Sequence, residues 1–364
     1  MQTGPVKRLV RFTLGLMFLG PLVVSSPAAF SSLYIFGDGT CSTNANPSPQ
    51  QYYYGKRFCN GRIWTEVLAQ RQGFAYQSNK NVSFFGHTST ALLTNVNAFV
   101  PPTDASTSLF VVWVCDADFV GWVYATGYSP YTSNNLAIWT NSIIQSVTNH
   151  WKAITNLYYA KGARTFLLPN AVDVMKTYNY DGLSAAQKNF VRLRIVDFNT
   201  RFNAMVNQAR DALPGATIFV PDFFTLLDFL STNSATFGMV NPGSDAVDTF
   251  APNISPTNGV GANYLFWDYL NPSAMAHMVM ADSVQQLLSP VALGDIESLD
   301  GTNQLTVINN PIGRAGFVEG STNYMDWTQR ASVPTNDATE SVLLPTSGRM
   351  EVYRLRYPFG WTWP

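Results

Sequence analysis

The sequence predicts an α/β fold, with a mostly parallel sheet covered by helices on both faces and a small C-terminal β-rich module. Three observations predict it. Short apolar runs alternate with long amphipathic segments as far as Leu288. The run Leu109-Phe110-Val111-Val112-Trp113-Val114 is apolar throughout, as a strand covered on both faces should be. Beyond Ser289-Pro290 the helical pattern stops, and short β-rich runs separated by Asn, Pro and Gly take over.

Each element has a local reason. Residues 33–36 form the first strand, which opens into the turn Gly37-Asp38-Gly39-Thr40. Residues 61–72 read as a helix, with Asn60 as N-cap and Gly73 past its end. Residues 82–85 form a short strand and 109–114 the buried one. Residues 135–161 form a long amphipathic helix closed by Gly162, and 164–168 a strand stopped by Pro169. Residues 184–213 form a second long helix ended by Pro214-Gly215, and 217–220 a strand. Residues 272–288 form the last helix, with Pro272 in its first turn. In the tail, 305–308, 316–318, 341–344 and 351–355 read as strands of a β-sandwich-like module.

This alternation implies βαβ units and a mostly parallel sheet with helices on both sides. In such sheets ligands bind outside the carboxyl ends of the strands. The residues that follow strands are therefore the candidates for function.

At the N-terminus, Lys7, Arg8 and Arg11 precede the apolar residues 12–24, and Ser26-Pro27-Ala28 supplies small residues at cleavage positions. This pattern predicts a signal peptide over 1–28 and a secreted, periplasmic or extracellular protein. A retained anchor is the competing reading, against which the short apolar length counts. The expected organisation is then 1–28 leader, 29–290 α/β domain and 291–364 β module.

Net charge is −1 and only 12% of residues are charged, with no Lys/Arg run, so nucleic acid and specific membrane partners are not expected. Cys41, Cys59 and Cys115 form an odd set, which leaves at least one thiol free or in an intermolecular bond. Whether Cys41 and Cys59 pair stays open. No CxxC occurs, and neither a metal nor a cofactor is expected.

Several blocks in order resemble the SGNH/GDSL esterase and lipase family. They are Gly37-Asp38-Gly39-Thr40, Asn81 to Thr88 with Gly86, Trp113-Val114-Cys115-Asp116-Ala117-Asp118, and Asp268-Tyr269-Leu270-Asn271-Pro272. Asn60-Gly61-Arg62-Ile63-Trp64 is similar to a further segment of many GDSL esterases. The resemblance implies a flavodoxin-like three-layer sandwich and an ester hydrolase acting on acylated lipid or carbohydrate. It places the nucleophile at Gly39, the base at Asn271, its orienting acid at Asp268, and the oxyanion positions at Gly86 and Ala117.

Those positions depart from the family at the reacting groups. Glycine has no atom to attack a carbonyl, and asparagine has no titratable nitrogen. The expectation is a weak or inactive member that binds a small ester, acyl or glycan ligand. One alternative is an active esterase with a substitute nucleophile, Cys41 or Thr40, paired with His87. Another is a structural or adhesive surface protein. A hard-metal site from Asp38, His87, Asp116, Asp118 and Asp268 is a further competing arrangement, against helix capping by the same acids. His150 and His277 lie within helices, and His277 should point away from the turn at Asn271.

Overall fold

The computed structural model describes residues 30–46, 52–256, 259–299, 301–345 and 351–357. The expected leader over 1–28 lies outside the described residues. Among them, no helix is long and apolar enough to cross a membrane.

A parallel sheet forms from β1 (Leu33–Gly37), β2 (Leu109–Trp113), β3 (Thr165–Leu167) and β4 (Thr217–Phe219), in that spatial order. Pairing runs Leu33 with Leu109, Leu109 with Thr165, and Thr165 with Thr217. Every residue of β1 and β2 is buried, which explains why both read as continuous apolar runs.

Eight helices complete the order among the described residues. They are α1 (Trp64–Arg71), α2 (Ser89–Ala98), α3 (Cys115–Tyr124), α4 (Leu136–Tyr159), α5 (Ala185–Ala212), α6 (Phe223–Asn233), α7 (Ala246–Phe250) and α8 (Ala274–Leu288). α1 packs on α8, while α4 packs between α2 and α5. α5 starts where the sequence requires: Ser184 Oγ accepts from Gln187 N–H, and Gln187 Oε1 accepts from Ser184 N–H, a reciprocal cap.

Four local expectations need correction. The helix expected over 61–72 begins only at Trp64, because Glu66 reaches back to accept from Ile63 N–H. Asn60 caps a different helix: its Oδ1 accepts from Ala274 N–H at 2.8 Å, at the start of α8. That helix begins after Ser273 rather than at Pro272. Residues 82–85 do not form a named strand. The segment still runs beside β1, with Val82 N–H donating to Ile35 O and Phe84 N–H to Gly37 O.

That edge segment matters for the site. After β1 the chain first visits one side of it, at 81–84, and then returns to its other side as β2. The carboxyl ends of β1 and β2 therefore flank a topological switch point, where open α/β sheets bind ligands.

The last strands are antiparallel. β5 (Ala292–Leu299), β6 (Thr302–Ile308) and β9 (Thr339–Pro345) make one sheet; β7 (Gly316–Ser321), β8 (Thr328–Val333) and β10 (Val352–Arg356) make another. Leu305, Val307, Val342 and Leu344 from the first share a core with Val318 and Val333 from the second. β5 and β8 were not legible in the sequence, since β5 is largely exposed and both carry mixed polar residues.

Candidate functional site

A pocket of about 320 Å³ opens at the switch point. Gly39, Gly86, Ala117 and Asn271, each from a different block, all line it. Its remaining wall is mostly apolar, drawn from Trp113, Val120, Phe223, Leu226, Phe266 and Met280.

β1 delivers the first group. Asp38 turns the chain, and its carboxylate accepts from Thr40 N–H at 2.9 Å, starting one tight helical turn over Gly39–Cys41. Gly39 is outside the left-handed region, so its backbone suits any residue. The limit is space. A Cβ there would lie 3.2 Å from Phe85 Cδ2 and 3.4 Å from Phe58 Cδ2. These two rings pack on each other with centroids 5.3 Å apart. Two aromatic rings thus cover the point where a nucleophile's side chain would start.

The segment carrying Phe58 is anchored at several points. Arg57 Nε donates to Glu66 Oε2 at 2.7 Å, Trp267 Nε1 donates to Tyr52 O at 2.9 Å, and Tyr53 Oη donates to Asp268 Oδ2 at 3.0 Å. Across the pocket, Gly86 takes φ +75°, which favours glycine, before Thr88 caps α2.

β2 leads directly into α3, whose first turn brings Asp116 and Ala117 to the pocket wall. Asp116 Oδ1 accepts from Val172 N–H at 2.9 Å. Burial, and then the neighbouring Asp38, holds its carboxyl well above the ordinary range. Burial likewise pushes Asp38 up to about 6.

The turn before α8 supplies the last group. Asp268 accepts from the backbone N–H of Leu270 and Asn271 at 2.9 and 2.7 Å. Asn271 Nδ2 donates to both carboxylate oxygens, at 3.0 and 3.1 Å. Asp268 is therefore fully engaged, not left without a partner as the loss of a histidine suggests. Burial raises its carboxyl, and these hydrogen bonds oppose the rise.

The model of the family described as GDSL-like Lipase/Acylhydrolase matches residues 33–284. The chain belongs to this family. The matched span contains every block described above. Among solved structures, a catalytic mutant of Axe2, an acetylxylan esterase from Geobacillus stearothermophilus, is similar at 11% identity and a TM-score of 0.41, over 71% of this chain and 93% of that one. No curated protein matches the sequence.

Within this GDSL-family site, two expected substitutes are not assembled. Cys41 is fully buried and does not line the pocket. Burial, with Asp38 next, pushes its thiol well up, so little thiolate forms at neutral pH. His87 is also fully buried and turned away from the pocket. Its Nδ1 donates to Gly37 O at 2.8 Å, and Nε2 accepts from Asn95 Nδ2 at 3.1 Å. Burial pushes the imidazole down to about 4. Its task is to pin the end of β1 to α2.

Thr40 does line the pocket, beside Asp38. Cys41, Cys59 and Cys115 are all free and buried, so Cys41 and Cys59 are not joined. The five-residue metal arrangement does not converge. Asp118 instead accepts from Ser89 N–H at 3.0 Å and Ser146 Oγ at 2.5 Å, tying α2 to α4. No group of three or more metal-ligating side chains occurs among the described residues. His277 Nδ1 accepts from Trp64 N–H at 3.2 Å and joins α8 to α1.

The resemblance places an oxyanion position at Ala117, which lines the pocket but offers no side-chain donor; Asp116, named from the sequence only as a metal-ligand candidate, is the polar side chain beside it. The signal was available, since two acids flank Ala117 and helical geometry sends Asp116 and Asp118 in different directions. The cover by Phe58 and Phe85 had no such signal.

Proposed function

We propose that this protein is an exported member of the GDSL-like lipase/acylhydrolase family that binds an acyl or glycan ester ligand in the switch-point pocket and turns esters over weakly or not at all. One observation carries the reading. The amide of Asn271 occupies Asp268 where a base would be oriented, while Gly39 offers no side chain beneath Phe58 and Phe85. Without nucleophile and base, proton transfer and covalent attack both lack their groups. The pocket itself stays open and apolar, as ligand sites generally are. Export is supported by the basic and apolar residues that open the chain.

The test is a fluorogenic short-chain ester assay on the purified protein, run beside calorimetric titration with medium-chain acyl ligands. The expected result is binding with ester hydrolysis at background. Absence of both would favour the adhesive reading, in which residues 291–364 carry the interaction.

A second reading has one observation in its favour. Thr40 and Asp38 both line the pocket, and Thr40 N–H donates to Asp38 Oδ1 at 2.9 Å. This pair replaces Cys41 or Thr40 with His87 as the substitute nucleophile and base. Turnover of order 1 s⁻¹, within the ordinary enzyme range, that is lost in Thr40→Val would establish it.

A further inference from the structure

The C-terminal module carries its charges unevenly. Asp295 and Glu297 on β5 and Glu340 on β9 belong to one of its sheets. The outer face of the other sheet is cationic. Alternation along these strands sends Val318, Val333 and Leu355 inward to the module's core. It sends Phe317 and Glu319 of β7 outward, beside their register partners Arg356 and Arg354 of β10.

Glu319 is the centre of this face. Its Oε2 accepts from Arg354 Nε at 2.8 Å and its Oε1 from Arg356 Nε at 2.5 Å. Each guanidinium also lies over a ring. Arg354 Cζ stands 4.2 Å from the Trp327 centroid, and Arg356 Cζ 5.0 Å from that of Phe317. Glu319 is buried beneath them, while the two arginine side chains stay 48% and 45% exposed. The nearby acids have other partners: Glu351 accepts from Arg330 Nε at 2.6 Å, and Asp326 from Asn323 Nδ2 at 2.7 Å.

The consequence follows from charge and preorganisation. One carboxylate cannot accept every N–H of two guanidiniums, and it cancels only one of their charges. The shared acid and the two rings hold both forks in place, so less side-chain freedom is lost when an anion arrives. A planar carboxylate meets such a fork bidentately. Gln329 and Ser332 of β8, exposed and in register with Glu319 and Phe317, add groups that suit sugar hydroxyls. Among the described residues no exposed aliphatic side chain stands on this face, and both rings lie under guanidiniums, so it has nothing to insert into a lipid surface.

We propose that the outer face of the β7, β8 and β10 sheet is a binding site for a carboxylate-bearing polysaccharide, with Arg354 and Arg356 as the groups that take its carboxylates. The assignment uses no residue of the switch-point pocket and stands apart from the reading above. It gives the C-terminal module a task of its own, retention of the chain on an acidic glycan.

The experiment measures binding of the full chain to polygalacturonate at pH 7 and low salt, beside fully methyl-esterified polygalacturonate and polyglutamate. The methyl ester keeps the sugar and removes the charge; polyglutamate keeps the carboxylates and removes the sugar. Polygalacturonate should bind, and more weakly as salt is added. The other two polymers should bind at least about tenfold more weakly, a difference of about 1.4 kcal/mol. Arg354→Gln and Arg356→Gln each leave Glu319 one cation, and each should weaken binding by about fivefold or more, as the loss of a charge-assisted contact requires. Arg201→Gln on α5 removes the same charge from a side chain of similar exposure, 42%, and should leave binding unchanged. Thermal melts check the fold of each variant. No binding of polygalacturonate overturns the proposal, and so does equal binding of its methyl ester. Polyglutamate binding as tightly overturns the glycan assignment in favour of an acidic peptide. An unchanged affinity in folded Arg354→Gln and Arg356→Gln, or an equal loss in Arg201→Gln, overturns the assigned site. The comparison of the three polymers needs no variant, so it decides the ligand class even if both substitutions unfold the module. None of these results bears on the pocket, which the acyl titration tests separately.

Discussion

The side-chain amide of Asn271 donates to both carboxylate oxygens of Asp268, at 3.0 and 3.1 Å. An imidazole at the same place would present one N–H to that carboxylate and keep its second nitrogen for proton transfer. The amide also satisfies the acid, but its remaining atom is a carbonyl oxygen that cannot take up a proton at neutral pH. On the proposed reading, Asn271 stands where the family places its base and supplies none.

Asp268 holds this turn together through the hydrogen bonds it accepts. Asp268→Ala leaves the N–H groups of Leu270 and Asn271 and the Asn271 amide without their acceptor. The expected loss is about 3 kcal/mol of stability, from several buried donors left unpaired. Denaturant unfolding followed by tryptophan fluorescence measures it. A loss below about 0.5 kcal/mol, the level of an ordinary surface change, would mean that water replaces the carboxylate freely.

Asp38 sets a pH dependence of defined sign. Its ordinary value is 3.8, and burial raises it to about 6 in the folded chain. Below the lower value both states are protonated. Between the two, the unfolded chain ionises while the folded chain holds its proton, so this group's contribution falls as pH rises. Above the higher value the loss is complete. Asp38→Asn keeps an acceptor for Thr40 N–H and removes the titration. The stability of the wild type relative to Asp38→Asn should therefore fall as pH rises through that window and be flat above it. Melting temperatures at half-unit intervals read this directly, and a rising difference would contradict the burial of Asp38.

The thiols give a third test. Cys41, Cys59 and Cys115 are free and buried, and burial raises each above its ordinary value. A low thiolate fraction and no access both slow alkylation. Native protein should show essentially no reaction with a thiol reagent over minutes, and all of Cys41, Cys59 and Cys115 should react in denaturant. Rapid native labelling of Cys41 would revive it as a nucleophile.

The parts of the fold that one segment decides were legible in the sequence. β2 is apolar on both faces because both faces are covered, and α5 runs over Ala185–Ala212, close to the 184–213 expected from its pattern and its Pro214-Gly215 stop. The convergence of Gly39, Gly86, Ala117 and Asn271 followed from their positions after strands and at the head of α8. Relationships between distant segments were not legible. Asn60 looked like the cap of the helix next to it, yet the donor it meets belongs to α8. His87 looked like a spare base, yet β1 and α2 consume both of its nitrogens. Phe58 lies in a segment without periodicity, and its placement over Gly39 depends on Tyr52, Tyr53 and Arg57 finding partners far along the chain or in α1.

Restoring the missing groups tests whether the pocket still fits an ester. Gly39→Ser alone should remain at background, because Ser needs a base and Asn271 cannot serve. The backbone at residue 39 accepts the change, but the new Cβ requires the Phe85 ring to give by a few tenths of an ångström, so the melt should drop slightly. Adding Asn271→His supplies a base whose Nδ1–H can take the place of the present amide on Asp268. The double variant should rise above background. The oxyanion side then limits the rate, since a tetrahedral intermediate would develop negative charge in a pocket lined by Asp116, while Ala117 offers no side-chain donor. Ala117→Asn adds a donor, and Asp116→Asn, whose Oδ1 can keep the Val172 N–H bond, puts an amide donor where a carboxyl now stands. The triple variant with Asp116→Asn should therefore be the fastest, by up to about 10²-fold over the double, the scale of one oxyanion donor. Initial rates on a short acyl ester, with melts to confirm folding, decide the order. Equal background rates in all variants with intact folds would mean that the cover of Phe58 and Phe85 keeps an ester carbonyl from residue 39 altogether, and that the pocket is a binding site in which no reacting geometry survives.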